Sequence, residues 1–170
     1  QEAPGPDSEE GHWEKLEVTA DSGAVNWVAH PNIAPDVELI PKAESKAGMH
    51  WTAANGGKVP ALGAKELLVF TDNWNKAKVT IHMGEIKKVL ASVGKICEAG
   101  NVVHFDDDES QGGSWMRNKT TGKVTKIHKK NGIYVFYLWI WRAARGLPLE
   151  GTCDANRKAK MEVDSIFHRP

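Results

Sequence analysis

Asp21-Ser22-Gly23 is the part of this sequence whose residue types and spacing could do chemistry. A tight Ser-Gly turn can aim a carboxylate into a cleft, because Ser22 can hydrogen-bond locally and Gly23 lets a second backbone approach closely. The chemistry that suits such a carboxylate is general acid–base catalysis. Asp-Ser-Gly is also a common turn, so a purely structural role stays open.

Two predicted strands, within residues 13–30, position this turn. Leu16, Val18 and Ala20 alternate with polar residues, as on a half-buried strand, and residues 25–29 form a second apolar run. Further along the chain, Asn55-Gly56-Gly57 separates extended runs at 49–53 and 58–62. Asn-Gly between two extended runs predicts a β-hairpin.

The remaining pattern predicts a mostly β chain with one substantial helix. Further strands are predicted at 65–70, 77–83, 114–116, 124–127 and 133–141. From Ile86 the apolar spacing becomes helical, and we expect a helix that starts between Glu85 and Ser92 and ends near Gly100. The run at 133–141 is apolar on both faces, which is typical of a strand covered on both sides.

Composition excludes several classes of protein. The 170 residues carry zero net charge, so no global basic field indicates a nucleic-acid partner, and no apolar run is long enough to span a membrane. Two cysteines and scattered histidines predict neither a disulfide framework nor a zinc site, so we expect no metal and no cofactor. The first residue is Gln1, which indicates a processed chain or a fragment, compatible with an organelle; no targeting signal indicates a compartment.

Taken in order, these segments resemble the protease region of copia-type retrotransposon polyproteins, a branch of the retropepsin-like aspartic peptidases. Asp21-Ser22-Gly23-Ala24 matches the family's Asp-Ser-Gly-Ala signature, and residues 55–63 are similar to its flap hairpin and the strand that follows. Residues 90–105 resemble the family's segment in which a Leu-Leu-Ser-Val sequence leads into a helix, a glycine and a strand. The resemblance spans residues 14–140 and implies a single-lobed, closed β fold. Nothing resembles a zinc knuckle, an integrase or a reverse transcriptase, so we expect a stand-alone, domesticated descendant.

The resemblance also implies a division of the chain. We expect an N-terminal tail over 1–13, a retropepsin-like domain over 14–106, an appended β element over 107–141 and a C-terminal extension over 142–170.

Two functions follow from this comparison. An active aspartic endopeptidase would be a homodimer, because a single-lobed chain supplies one Asp21. Asp21, Ser22 and Gly23 would then form the catalytic turn, and Asn55, Gly56 and Gly57 the flap over the substrate. The bulky Trp27 close to that turn weighs against activity unless it points into the core.

The interpretation favoured by the sequence is a non-catalytic accessory subunit of a larger assembly that keeps the fold as a scaffold. Ordering the polar leader costs about 1–2 kcal/mol per residue, so we expect a protein partner to hold it. We also expect partner contacts along the 134–141 strand, through Tyr137, Trp139 and Trp141, and along the C-terminal extension. Peripheral contact with a membrane complex stays open.

Overall fold

A computed structural model describes residues 11–52 and 56–143, which form a mostly β fold with few helices. The strands are β1 (Gly11–Asp21), β2 (Trp27–Ala29), β3 (His50–Thr52), β4 (Lys58–Pro60), β5 (Gly63–Phe70), β6 (Lys76–Met83), β7 (Val89–Ser92), β8 (Asn101–His104), β9 (Ser114–Asn118), β10 (Val124–Lys130) and β11 (Ile133–Ala143). The helices are α1 (Ala43–Lys46), α2 (Val93–Glu98) and a 3-10 turn at Glu109–Gln111. None of the helices in these ranges is long and apolar enough to cross a membrane.

Six strands close into a barrel in the order β1-β7-β2-β6-β5-β11. The closing contact is antiparallel pairing of β1 with β11, which runs from Gly11 opposite Ala143 to Thr19 opposite Val135. The inward positions of both strands are apolar, including Val18 and Phe136, and this set packs into one hydrophobic core. Closure removes two sheet edges that would otherwise expose unpaired backbone groups.

The barrel continues on one side into a smaller sheet, in the order β11-β10-β9-β8. The strands predicted at 114–116 and 124–127 are confirmed, and they pair as an antiparallel hairpin with Thr125 opposite Met116. The 107–141 segment, however, is not separate from the barrel, because β11 pairs with β1, β5 and β10. A strand shared by the barrel and the smaller sheet joins the two expected units into one structure.

The outer face of β11 is covered by the chain itself, which corrects the expectation of an uncovered apolar face there. Trp139 and Trp141 are only 8% and 7% exposed. Trp13 lies edge-on to Trp141, with ring centroids 5.4 Å apart, and packs against Phe70 beside Trp139. Aromatic residues from β1 and β5 therefore supply the cover that the sequence analysis assigned to a neighbouring chain.

The predicted helix before Gly100 is present, but it begins after the predicted start range of Glu85 to Ser92 and is therefore shorter. Val89–Ser92 forms strand β7, which pairs in parallel with β1, and the helix begins only at Val93. The Ser92 hydroxyl accepts a hydrogen bond from the Lys95 N–H at 3.2 Å and caps the helix. Tertiary pairing therefore overrides the helical spacing of the residues before Ser92.

The predicted hairpin on either side of residues 55–57 is confirmed in its two arms. β3 and β4 pair antiparallel, with Trp51 opposite Val59, in a two-stranded sheet separate from the barrel. Gly56 has φ of +81°, and both Gly56 and Gly57 are exposed. Asn55 lies outside the described residues, as do the leader at 1–10 and the extension at 144–170.

Candidate functional site

Asp21 is the last residue of β1 and opens the turn toward β2. Its Oδ1 accepts a hydrogen bond from the Gly23 N–H at 2.8 Å, which orients the carboxylate against its own turn. A Cβ at residue 23 would lie 3.3 Å from the same oxygen, so glycine leaves the carboxylate room. Asp21 is half-buried, and Ser22 and Gly23 are exposed. The predicted catalytic turn is thus a surface turn with an oriented carboxylate.

Strand β7 supports this turn from one side. It lies between β1 and β2, parallel to the first and antiparallel to the second. Its last residue, the buried Ser92, stands in register with Asp21, and helix α2 starts at the next residue. The strand ends and the helix start therefore hold the Asp21 turn on a rigid base, which suits a carboxylate that must be placed accurately.

Two apolar side chains after Asp21 differ in exposure: Val25 in the loop and Trp27 at the start of β2. Val25 is 79% exposed, the largest exposed fraction among the big apolar side chains of the described chain. Trp27, by contrast, is buried and lies edge-on to Phe136, with ring centroids 6.3 Å apart. The indole therefore points into the barrel, and the objection that it crowds the Asp21 carboxylate does not apply.

The hairpin of β3 and β4 is attached to the barrel at Gly84. A Cβ on Gly84 would lie 2.8 Å from both Trp51 Cζ3 and Val59 Cγ1, so only glycine lets these side chains seat there. Trp51 also lies edge-on to His82, with ring centroids 6.2 Å apart. The Gly84 N–H donates to the Ala29 carbonyl at the end of β2. Gly84 thus links the middle of the hairpin to the end of β2 that lies away from the Asp21 loop.

The three aromatic residues predicted to bind a partner take part in contacts within the chain. Trp139 Nε1 donates to Asp72 Oδ1 at 2.9 Å, and Trp141 packs under Trp13. Tyr137 is half-buried, and the Lys15 ammonium lies 4.3 Å from its ring centroid. These side chains lie on β11, on the barrel wall, whereas Asp21 lies at the end of β1.

Lys65 is a supporting residue that the sequence analysis did not single out. It is only 3% exposed, and its Nζ donates to the carbonyls of Pro31, Ile33 and Ala34 at 2.8, 3.0 and 3.0 Å. Burial lowers the pKa of Lys65, while Asp36 opposes this effect. The three acceptors belong to the loop that follows β2, so Lys65 secures the segment beyond the Asp21 turn. The available signal was the alternation in β5, which places Lys65 on the face opposite the exposed Glu66.

The chemistry within reach of this site is that of carboxylates, backbone groups and water. No group of three His, Cys, Asp or Glu side chains gathers as a metal site within residues 11–52 and 56–143. A single oriented carboxylate can act as an acid or a base. Aspartic proteolysis needs a second one, and Asp21 is the only aspartate in the sequence followed by Ser-Gly or Thr-Gly.

No family model matches the chain, and no match was found among proteins of curated function or among solved structures.

Proposed function

We propose that this chain is one subunit of a homodimeric aspartic endopeptidase in which each copy contributes Asp21. In such an enzyme a water molecule lies between the two carboxylates, one of which takes its proton while the other protonates the leaving group. Two carboxylates held close together share one proton, because both cannot be charged at short range. A two-fold axis through the paired turns would supply this arrangement from a single gene product.

The observation that carries the proposal is the Asp21–Val25 turn itself. The carboxylate is oriented by the Gly23 N–H at 2.8 Å, yet the turn stays at the surface. The same turn exposes Val25, an apolar side chain that gains from being covered. A second copy of the turn would cover Val25 and bring the second carboxylate to the first.

The β3–β4 hairpin supports the same function as a lid. It stands apart from the barrel sheet, and its tip carries the exposed Gly56 and Gly57. Its central pair, Trp51 and Val59, packs on Gly84. A small hairpin that is anchored at its middle and carries glycines at its tip is suited to closing its tip over an extended peptide.

The accessory-subunit hypothesis loses one of its two supports. The aromatic residues of β11 were expected to bind a partner, but Trp13 and Phe70 pack against Trp139 and Trp141 from within the chain. Its other support, the leader, lies outside the described residues. Trp27, the residue that argued against catalysis, is in the core. The accessory role remains the alternative outcome of the experiment below.

The test is cleavage of a peptide library by the full chain at mildly acidic pH, with the oligomeric state measured by analytical ultracentrifugation. We expect Asp21→Asn to lower cleavage by at least about 10³-fold while the fold and the dimer persist. Asp107→Asn, which alters an exposed carboxylate paired with Lys129 at 3.5 Å, is the matched control and should cleave like the unaltered chain.

A second variant tests the role of the dimer. Val25→Asp places a charge on the exposed turn and should shift the equilibrium toward monomers, with activity falling in proportion to the loss of dimer. If the unaltered chain is folded and dimeric but cleaves nothing between acidic and neutral pH, the enzyme hypothesis is wrong and the accessory role takes its place.

A further inference from the structure

A polar cleft of about 410 Å³ lies beside the Asp21 loop. Its buried floor includes Trp27 and Ile96, and its exposed rim carries Lys78 and Lys95. None of the residues that line it, among those the structure describes, is acidic. The cleft therefore combines an apolar floor with two cations and no carboxylate of its own.

The cleft adjoins the candidate catalytic turn on two sides. Asn26, which lines it, is the last residue of the loop that begins at Asp21. Lys95 stands in the first turn of α2, and its N–H donates to Ser92, the register partner of Asp21. One turn of helix rises only about 5 Å, so a peptide lying across the Asp21 turn can reach this rim with a nearby side chain.

Both rim lysines are available to a new anion. Lys78 pairs with Glu66 and Lys95 with Glu98, each at 3.3 Å and each at the surface. Exposed pairs of this kind are weak, because water screens them and two long side chains must be ordered. A carboxylate from a bound peptide can therefore share or replace these partners, and neither Glu66 nor Glu98 lines the cleft.

Besides the two lysines, the lining contains one further titratable residue, His82. Burial lowers the pKa of His82, Glu44 opposes this effect, and Lys42 and Lys95 add to the lowering. Burial therefore disfavours a positive charge on the imidazole, whereas the two lysine ammonium groups stand at the exposed rim.

We propose that this cleft is a specificity subsite that binds an acidic side chain of the polypeptide substrate. The inference rests on the proposed peptidase function and adds the class of substrate. Because a two-fold axis relates the two copies, each contributes one cleft, and the two lie on opposite sides of the scissile bond. Preferred substrates should therefore carry Asp or Glu at two positions, one on each side of the cleaved bond.

The experiment is a cleavage-specificity profile from a proteome-derived peptide library, recorded for the full chain and for a Lys78→Glu/Lys95→Glu double variant. The unaltered chain should enrich Asp and Glu at the two positions. Replacing Glu by Gln in a recovered peptide should lower kcat/KM about threefold to tenfold, and this ratio should shrink at high salt. The double variant should instead enrich Lys and Arg at the same positions.

A matched control separates local from global charge effects. Lys129 is an exposed lysine paired with Asp107 at 3.5 Å, much like Lys95 with Glu98, but it lies on β10, outside the cleft. Lys129→Glu should leave the acidic preference unchanged. Lys95→Met removes one charge without reversing it and should weaken the preference without inverting it, which gives a second test should the double variant prove unstable.

The outcomes distinguish the two proposals. Cleavage with no acidic enrichment, or an enrichment that the rim variants leave intact, would reject the subsite while the peptidase function stands. Absence of cleavage by the unaltered chain would reject the peptidase function and the subsite with it.

Discussion

At the scale of single residues, the Lys65 ammonium is the group that ties the loop after β2 to the barrel. Its three acceptors include the carbonyl of Ala34, a buried residue with φ of +48°. A non-glycine residue in this left-handed region is strained by about 1 kcal/mol or more. The charge-assisted hydrogen bonds from Lys65 offset that strain and give the half-buried Pro31 and Ile33 a donor for their carbonyls, while the Ala34 carbonyl also accepts from the Val37 N–H.

Lys65→Met keeps most of the side-chain volume but removes the donors. We expect the free energy of unfolding in urea to fall by about 2–4 kcal/mol, because three charge-assisted hydrogen bonds are lost and only the Ala34 carbonyl keeps a second donor, the Val37 N–H. The control is Lys129→Met, which removes an exposed ion pair between Lys129 of β10 and Asp107. This substitution should change the free energy of unfolding by less than about 0.5 kcal/mol. Equal effects of the two substitutions would show that Lys65 does not hold the loop.

His82 should make the fold sensitive to acid. Burial is the main reason that its pKa lies below the ordinary 6.5, so the folded state binds this proton less readily than the unfolded chain does. The free energy of unfolding should therefore decrease as the pH falls from 6.5 through the lowered pKa, and change no further below it.

The measurement is the urea midpoint at about pH 7.5 and about pH 5, which bracket the window of a histidine. His82→Gln should lose part of the difference between the two midpoints, and His50→Gln, on the exposed face of the hairpin, should keep it. If the midpoint difference between the two pH values is the same in His82→Gln as in the unaltered chain, His82 is not the source of the acid sensitivity.

At the scale of elements, the β3–β4 hairpin depends on one glycine for its seat. Gly84→Ala would place a methyl group 2.8 Å from a side-chain carbon of Trp51 and 2.8 Å from one of Val59, which is too close for either contact. We expect a loss of about 1–3 kcal/mol in stability and faster hydrogen exchange of the backbone amides of β3 and β4.

Gly94 in α2 is the matched control for this substitution. A Cβ there would meet only Ser92 Oγ, at 3.7 Å, an ordinary contact. Gly94→Ala should stabilise the chain by about 0.5–1 kcal/mol, because alanine loses less backbone freedom in a helix. Hairpin amides that exchange at the same rate in Gly84→Ala and the unaltered chain would reject the docking role of Gly84.

At the scale of the whole molecule, barrel closure makes the two ends of the described chain interdependent. β11 pairs with both β1 and β5, so the barrel cannot close without residues 133–143. Residues 11–143 should unfold in one cooperative transition, and a chain that stops at residue 132 or at 106 should lack a fixed core. Circular dichroism and amide NMR spectra measure this, and a folded 11–106 fragment would contradict it.

Much of the fold was predictable from the sequence because it is local. Alternating apolar residues predicted β1, the Asn-Gly pair predicted the hairpin, and the spacing before Gly100 predicted a helix. The Asp21 turn was predictable because Asp-Ser-Gly, a common turn sequence, stands between two apolar runs. Each of these signals depends on residues that are close together in the sequence, so the sequence alone is enough to detect it.

What only the tertiary structure decided depends on pairs far apart in the chain. Residues 89–92 have a helical spacing, yet pairing with β1 makes them a strand. Trp139 and Trp141 suggested a partner, yet Trp13, more than a hundred residues away, covers their face of β11. Lys65 serves carbonyls about thirty residues before it. The physical reason is the same in each case: burial and cross-strand hydrogen bonding are decided by which strands become neighbours when the barrel closes, and apolar periodicity does not encode that.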